Sequence, residues 1–209
     1  MATPSIRGIF IVFEGIDRSG KTTQAVKLNQ YINDHEKKSV YLRFPDRDTP
    51  TGKLIDSYLK NEITMDPRTA HLIFSANRSE HIKTIVTNLK KGINVICDRY
   101  VDSGSIYSRA NGLPYEWCQS IDVGMPRPDR VIYLRSSFEV TKKRDNFGAE
   151  RFETESFQHM VSKYYDEIAS KNNWNVIDSS LSIERIHESV VASFLFTESL
   201  METTVINYL

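Results

Sequence analysis

The first 38 residues most constrain the fold of this chain. Residues 8–15 read GIFIVFEG, a continuous apolar run rich in β-branched and aromatic residues, which is typical of a strand buried on both faces. Residues 15–22, GIDRSGKT, match the pattern G-x-x-x-x-G-K-[ST], and residues 21–38 have helical amphipathicity. A strand, a glycine-containing loop and a helix in this order predict a phosphate-binding loop, whose backbone N–H groups surround phosphate oxygens at the positive end of a helix.

Three polar side chains near this loop carry the expected chemistry. We expect Lys21 to neutralise β- and γ-phosphate oxygens and the Thr22 hydroxyl to ligate Mg²⁺. Asp98 ends the apolar run Val95-Ile96-Cys97, so it is placed at a strand tip, where it can hold a water molecule of the magnesium ion. The alternative for Asp98 is a helix cap or a surface turn.

Asp17 is the unexpected residue of the loop, because a carboxylate repels phosphate. Two negative charges about 4 Å apart cost about 1 kcal/mol in water and several times more in a cleft of low dielectric constant. Either the loop does not bind phosphate, or the Asp17 carboxylate faces a different group.

The rest of the chain alternates short apolar runs with amphipathic stretches. Further strands are predicted at residues 39–45, 93–100, 130–136 and 173–180. Helices are predicted at residues 51–60, at 68–92 as one continuous helix, at 114–122, in two pieces within 138–171, and after Ser182. This alternation predicts a single α/β domain over residues 1–209, with a central five-stranded parallel sheet between two layers of helices.

Composition excludes several classes of function. Lys plus Arg and Asp plus Glu number 27 each, so the bulk charge predicts neither a nucleic-acid partner nor a membrane surface. Cys97 and Cys118 are too few for a disulfide framework or a zinc site, which favours a reducing compartment. No apolar run approaches the roughly 20 residues of a membrane span, and residues 1–8 lack a signal-peptide core. We therefore expect an intracellular protein.

Three types of protein remain compatible with the loop. A GTPase switch usually has an N-K-x-D tetrapeptide, which this sequence lacks. A nucleotide-binding scaffold without turnover needs the loop alone, whereas a phosphotransferase also needs an acceptor pocket. Arg18, Arg47 and Arg99 all follow predicted strand ends and could meet over the sheet edge, where guanidinium groups bind phosphate bidentately. Each of them taken alone is more often a solvated surface charge than a ligand.

Phe74 and Arg78 predict the other half of an acceptor pocket. They are four residues apart in a predicted helix and therefore share one face. An aromatic ring for stacking and a guanidinium for a carbonyl group suit a nucleobase. The alternative is that Phe74 belongs to the core with Leu72 and Ile73.

Taken together, these segments resemble the thymidylate kinases of eukaryotic type. The resemblance spans about residues 8–190. It rests on EGIDRSGKTT, LRFPDR, TGKLIDSYL, HLIFSANR, DRYVDSG, WCQSIDVGMPRPD, FGAERFE and SIERIHE, in the family's order. The family implies a P-loop kinase fold with a short lid near residues 144–152, and leaves 195–209 as a tail. It also implies Mg²⁺-dependent transfer of the ATP γ-phosphate to dTMP, giving dTDP and ADP. The acceptor phosphate is already an anion, so this reaction requires no general base.

The resemblance also assigns roles to residues. It turns Asp17 away from ATP, towards the deoxyribose of dTMP and towards Arg99. It makes Arg18, Lys21, Asp98, Arg99 and Asp17 the catalytic group. It places ATP on Arg18, Ser19, Gly20, Lys21, Thr22, Thr23 and Arg144. It places dTMP on Asp17, Phe44, Arg47, Phe74, Arg78, Arg99, Tyr100, Ser103, Gly104, Tyr107 and Phe152.

The sequence departs from the family pattern at three places. Ser79 replaces an aromatic residue after the arginine of ANR, Val101-Asp102 replaces A-[FY], and Phe152 replaces the usual lid tyrosine. We expect these changes to alter the shape of the pocket and to leave the chemistry intact. The family further implies a homodimer, and the predicted compartment is the cytoplasm, with nuclear presence left open.

Overall fold

A single parallel sheet organises the computed structural model, which describes residues 7–142, 148–201 and 205–209. Its strands are β1 (Phe10–Glu14), β2 (Ser39–Arg43), β3 (Asn94–Asp98), β4 (Arg130–Arg135) and β5 (Asn175–Asp178). They pair in the order β2-β3-β1-β4-β5, and every neighbouring pair is parallel. The predicted five-stranded parallel sheet is confirmed, and each strand lies inside its predicted segment.

Helices cover both faces of the sheet. They are α1 (Lys21–Asp34), α2 (Pro50–Leu59), α3 (Pro67–Ser79), α4 (Ile82–Lys90), α5 (Val101–Ala110), α6 (Tyr115–Ile121), α7 (Phe138–Thr141), α8 (Glu155–Lys171) and α9 (Ile183–Ser199). On one face Ile11 and Phe13 pack with residues of α1 and α9, and on the other Phe10 and Val12 pack with residues of α4. Alternate residues of β1 thus serve opposite layers, which explains why the strand is apolar throughout.

The predicted helix over residues 68–92 is wrong, because this segment forms two helices, α3 and α4. They are separated at Glu80 and His81, where the His81 N–H bonds to the Arg78 carbonyl only three residues back. Helix α3 packs on α2 and α5, whereas α4 buries Ile85 and Leu89 against β3. One straight helix cannot present its apolar side to both of these neighbours.

Helix α5 lies in a segment for which the sequence predicted no element. It contains Gly104 and three serines, which have low intrinsic helix propensity. Contacts with α3, α6 and α8 stabilise it in the folded molecule. Tertiary packing therefore overrides the local preference of this segment.

The C-terminal residues fold back on the body of the molecule. The segment predicted as a tail, 195–209, begins inside α9. Ile206 is buried on the face of the sheet that α4 covers, in the same cluster as Phe10 and Val12. The Leu209 N–H donates to the Met125 carbonyl at 2.9 Å. Within the described ranges, no helix combines the length and apolar character that crossing a membrane requires.

Candidate active site

The carboxyl ends of three adjacent strands meet at one cavity of about 350 Å³. The phosphate loop follows β1, Phe44 and Arg47 follow β2, and Asp98 and Arg99 lie at the end of β3. Parallel strands direct their carboxyl ends to the same edge of a sheet, so segments that are distant in sequence become neighbours there. The volume suits a small-molecule ligand.

Backbone geometry explains the glycines of the phosphate loop. Gly15 has a φ of +146°, and a Cβ atom on it would lie 2.7 Å from the Leu134 carbonyl oxygen. Gly20 has a φ of +99° and forms the N-cap of α1. Neither position accepts a side chain without strain. The loop therefore presents its backbone at the positive end of α1, as an anion site requires.

Lys21 is buried and has a perturbed pKa. Its Nζ atom donates to the Ile16 carbonyl at 2.5 Å and lies 3.3 Å from Ser19 Oγ. Burial, followed by the nearby Arg99 charge, lowers the pKa of Lys21 to about 7, against the opposing effect of Asp98, Asp17 and Glu14. The negative charge of a bound polyphosphate favours the protonated form of this side chain.

Thr22 and Asp98 meet beside the loop. The Thr22 hydroxyl donates to Asp98 Oδ2 at 2.5 Å, so α1 and β3 contribute two oxygen ligands to one point. Hydroxyl and carboxylate oxygens suit a hard cation such as Mg²⁺, which usually keeps several waters and binds substrate phosphates as well. The donor set at this point therefore fits Mg²⁺, and Asp98 is not a helix cap.

The carboxylate of Asp17 contacts side chains outside the phosphate loop, among them Arg99. One carboxylate oxygen pairs with Arg99 Nη2, and the other accepts from Tyr107 at 2.9 Å and from Gln158 Nε2 at 2.7 Å. Burial on its own would raise the pKa of Asp17, but the charges of Arg99 and Lys21, with the hydrogen bonds from Tyr107 and Gln158, outweigh it and hold this pKa below its usual value. The carboxylate thus has a cationic partner, which explains how the loop tolerates it.

Arg99 connects the phosphate loop with the first turn of α5. Its Nη1 donates to the Gly15 carbonyl and to Ser103 Oγ, at 3.0 Å each. Its guanidinium also lies 5.2 Å from the centre of the Tyr107 ring. Burial opposes its charge, but Tyr107, Asp17, Tyr165 and Asp98 together outweigh burial and hold the pKa of Arg99 well above its usual value. Arg99 is therefore a permanent, oriented cation.

Two further arginines at the cavity are paired with carboxylates. Arg47 donates to Asp56 and to Glu150, at 2.6 Å each, and so connects α2 with the described part of the predicted lid. Arg18 donates to Glu153, with Nε 2.9 Å from Oε1. Incoming phosphate groups would compete with these carboxylates for the two guanidinium groups.

The remaining wall combines aromatic rings with a buried cation. Phe74 is only partly buried and lines the cavity, whereas Leu72 is 46% exposed, so the core alternative fails for both. Arg78 is buried and donates to Asp122 at 2.7 Å. A Cβ atom on Gly104 would lie 2.7 Å from Arg78 Nη1, so this glycine leaves room for the guanidinium. Such a wall suits a planar ligand with a polar edge.

Comparison with known proteins identifies the family. Residues 13–190 match the family model described as thymidylate kinase. The chain belongs to the thymidylate kinase family. Its activity is accordingly that of an ATP:dTMP phosphotransferase, which phosphorylates dTMP to dTDP, and the prediction from the sequence is confirmed.

Individual thymidylate kinases match most of the chain. The protein from Caenorhabditis elegans is 43% identical over 199 residues, covering 91% of this chain and 91% of the relative. The one from Dictyostelium discoideum is 41% identical over 189 residues, covering 90% and 85%. The solved structure of thymidylate kinase from Candida albicans superposes with a TM-score of 0.87 at 34% identity, covering 98% of this chain and 99% of that one.

The structure brings the residues that the thymidylate kinase resemblance assigned to dTMP together in the cavity. Those that line it are Asp17, Phe44, Arg47, Phe74, Arg78, Arg99, Tyr100, Ser103, Gly104, Tyr107 and Phe152. Of the residues assigned to ATP, Arg18, Lys21 and Thr22 also line it. Ser19 is buried within the loop and Thr23 is exposed on α1. Arg144 and the first part of the predicted lid lie outside the described residues.

Several carboxylates and one amide at the site were not predicted from the sequence. Asp122, Glu153 and Gln158 each contact a predicted residue, but they lie 44, 135 and 141 positions from their partners along the chain. No local pattern reveals such pairs. Glu14 did carry a signal, because it is a charged residue that ends a buried strand directly before the phosphate loop.

Proposed function

We propose that phosphoryl transfer takes place across the Asp17–Arg99 pair, with Mg·ATP on the phosphate loop and dTMP between Phe74 and Arg99. The observation that supports this arrangement is the position of Arg99. Its guanidinium contacts the phosphate loop through the Gly15 carbonyl and α5 through Ser103. A fixed cation between the donor and acceptor sites neutralises the acceptor phosphate and aligns it with the donor for in-line attack.

The other charged residues then have defined tasks. Lys21 carries a proton when phosphate is bound and neutralises oxygens of the donor. Arg18 exchanges Glu153 for the γ-phosphate, and Arg47 exchanges its carboxylates for the acceptor phosphate. A dTMP phosphate oxygen attacks the γ-phosphorus, ADP leaves, and no side chain has to remove a proton.

Mg²⁺ is the proposed cofactor, and Thr22 and Asp98 would hold it. When bound, it screens the phosphate charges and stabilises the charge that develops on the leaving oxygen. The protein's own part is to orient these two oxygen ligands from α1 and β3.

ADP release measured with separate acceptors tests the proposal. The acceptors are dTMP, dUMP, UMP, dCMP and thymidine, each with Mg·ATP. We expect strong turnover with dTMP, weaker turnover with dUMP and negligible turnover with thymidine, which lacks the acceptor phosphate. Turnover with thymidine in the absence of turnover with dTMP would contradict the acceptor-phosphate role of Arg47 and Arg99.

We also propose a homodimer. Leu54 on α2 and Leu72 on α3 are 39% and 46% exposed, and these two helices pack side by side. Exposed apolar side chains on adjacent helices suit burial against a second copy. Light scattering coupled to size exclusion should give twice the 24.1 kDa chain mass, and Leu72→Glu should return the protein to a monomer.

The proposed compartment is the cytoplasm, with nuclear presence left open. Cys97 and Cys118 are both free and buried, as expected for a protein in a reducing environment. Fluorescence microscopy of the tagged chain in its own cell tests this placement.

A further inference from the structure

Glu14 is a fully buried carboxylate next to the active site. It is the last residue of β1, its exposed fraction is 0%, and it is not among the residues that line the cavity. Burying an ionised carboxylate is unfavourable unless hydrogen bonds replace its water. The hydrogen bonds of Glu14 therefore indicate the function of this buried carboxylate.

The two oxygens of Glu14 have different partners. Oε1 accepts from the backbone N–H groups of Tyr100 at 3.0 Å and Ser103 at 3.2 Å. Oε2 accepts from the Ser103 hydroxyl at 2.5 Å and the Tyr165 hydroxyl at 2.8 Å. The two bonds from backbone N–H groups cap the start of α5, whereas the two bonds from hydroxyls fix the direction of the Ser103 and Tyr165 hydroxyl protons.

Those hydroxyl groups also contact Arg99. Arg99 Nη1 lies 3.0 Å from Ser103 Oγ and 3.5 Å from Tyr165 Oη. A guanidinium only donates, so a hydroxyl oxygen can only accept from it. Nη1 has two hydrogens and uses one on the Gly15 carbonyl, so Ser103 Oγ is the main acceptor of the other and the more distant Tyr165 Oη shares it. Their protons consequently point to Glu14 or across the 2.8 Å that separates the two hydroxyls, and never to Arg99.

We propose that Glu14 is a positioning residue for the acceptor site. Its charge draws the hydroxyl protons of Ser103 and Tyr165, so that their lone pairs face Arg99 and hold the guanidinium in place. It also bonds the N–H of Tyr100, directly after Arg99, whose φ of +68° is uncommon for a residue with a side chain. This inference rests on the role proposed above for Arg99.

Glu14→Gln separates the two tasks of the carboxylate. The amide oxygen keeps the bonds to the Tyr100 and Ser103 N–H groups, so α5 stays capped. The amide nitrogen replaces Oε2 and donates to the two hydroxyls, whose protons then turn towards Arg99 and repel it. The variant thus alters the Arg99 environment while retaining the hydrogen bonds of the backbone.

The test measures kcat, KM for dTMP, KM for ATP and the thermal midpoint of Glu14→Gln. We expect kcat/KM for dTMP to fall about tenfold to a hundredfold, the range for hydrogen bonds to a charged group, with KM for ATP within about twofold. Asp129→Asn is the matched control. Asp129 accepts from the Phe10 N–H at 2.8 Å at the opposite end of β1, so its replacement should change stability and leave dTMP kinetics unaltered.

Tyr165→Phe supplies a second, milder variant, which decides the matter if Glu14→Gln does not fold. It removes one hydroxyl acceptor, so we expect a smaller loss of kcat/KM for dTMP. In the double variant Glu14→Gln/Tyr165→Phe, the fold-loss of kcat/KM for dTMP should be smaller than the product of the two single losses, because both changes act through Arg99.

Three results would overturn the inference. They are a folded Glu14→Gln with wild-type dTMP kinetics, an equal loss of ATP and dTMP use, or multiplicative losses in the double variant. Arg99→Ala distinguishes a failure of the proposed role of Arg99 from a failure of the role of Glu14. If Arg99→Ala retains wild-type turnover, the proposed function fails; if it loses turnover while Glu14→Gln does not, only the role of Glu14 fails.

Discussion

Replacing Gly104 by alanine should move Arg78 without disturbing the fold. Gly104 lies within α5, and a Cβ atom there would be 2.7 and 2.8 Å from the two terminal nitrogens of Arg78. A contact of this length does not persist, so one partner must shift. The Gly104 backbone is helical, and alanine is the better helix former by about 1 kcal/mol. The side chain of Arg78 is therefore the part that moves.

The distances set the size of the effect. Lengthening a 2.7 Å contact to an ordinary one of about 3.4 Å displaces the guanidinium by about 0.7 Å. Arg78 is buried and donates to Asp122 at 2.7 Å, so this displacement breaks or bends a charge-assisted hydrogen bond and moves the guanidinium that we expect to donate to the base. Such bonds are worth about 1.5–3 kcal/mol, which corresponds to about a tenfold to hundredfold loss in kcat/KM for dTMP.

Steady-state kinetics with dTMP and dCMP, together with thermal melting, would measure this effect. We expect reduced preference for dTMP over dCMP, an unchanged KM for ATP, and a melting midpoint below that of the wild type, because the weakened Arg78–Asp122 bond outweighs the gain of about 1 kcal/mol from alanine in α5. Ser105→Ala is the matched control, because this neighbouring hydroxyl has no hydrogen-bond partner in the part of the chain that is described. If Gly104→Ala kept the wild-type preference for dTMP, Arg78 would have no part in reading the base.

Three further changes test the rest of the site. Asp17→Asn should reduce kcat/KM for dTMP far more than the affinity for ADP measured by calorimetry, because Asp17 faces Arg99; an equal loss of both would place it on the donor side. Thr22→Ala should raise the Mg²⁺ concentration that gives half-maximal turnover at an unaltered KM for dTMP, and an unshifted Mg²⁺ titration would remove Thr22 from the metal site. Burial, together with Glu14 and Asp122, raises the pKa of Asp102 from 3.8 to about 8, so the folded state retains a proton that the unfolded chain loses. The stability contributed by this proton is complete below about pH 4 and is lost as the pH rises towards about 8. Asp102→Asn should therefore melt at a higher temperature than the wild type at about pH 7.5 and at the same temperature at about pH 4. Equal midpoints of variant and wild type at both pH values would contradict the pKa shift.

Local patterns in the sequence were sufficient for the sheet and the phosphate loop. Strand β1 is apolar on both faces, the loop needs glycine at positions with positive φ, and α1 follows directly. Each of these features depends on neighbours within a few residues. The order of the motifs then identified the family and, through it, the activity. Local spacing thereby determined the fold class, and the resemblance carried by the ordered motifs indicated the chemistry.

Tertiary structure alone decided how the chain divides into helices and how the charges pair. The stretch after β3 became helix α5 because it packs on three other helices, against its own propensity. The carboxylate of Asp17 is tolerated in a phosphate loop because Arg99, 82 residues away, faces it. Glu14 is held among groups from α5 and α8. Such contacts depend on the path of the whole chain, and the free energy of a buried charge depends on every group around it, so no short segment of the sequence encodes them.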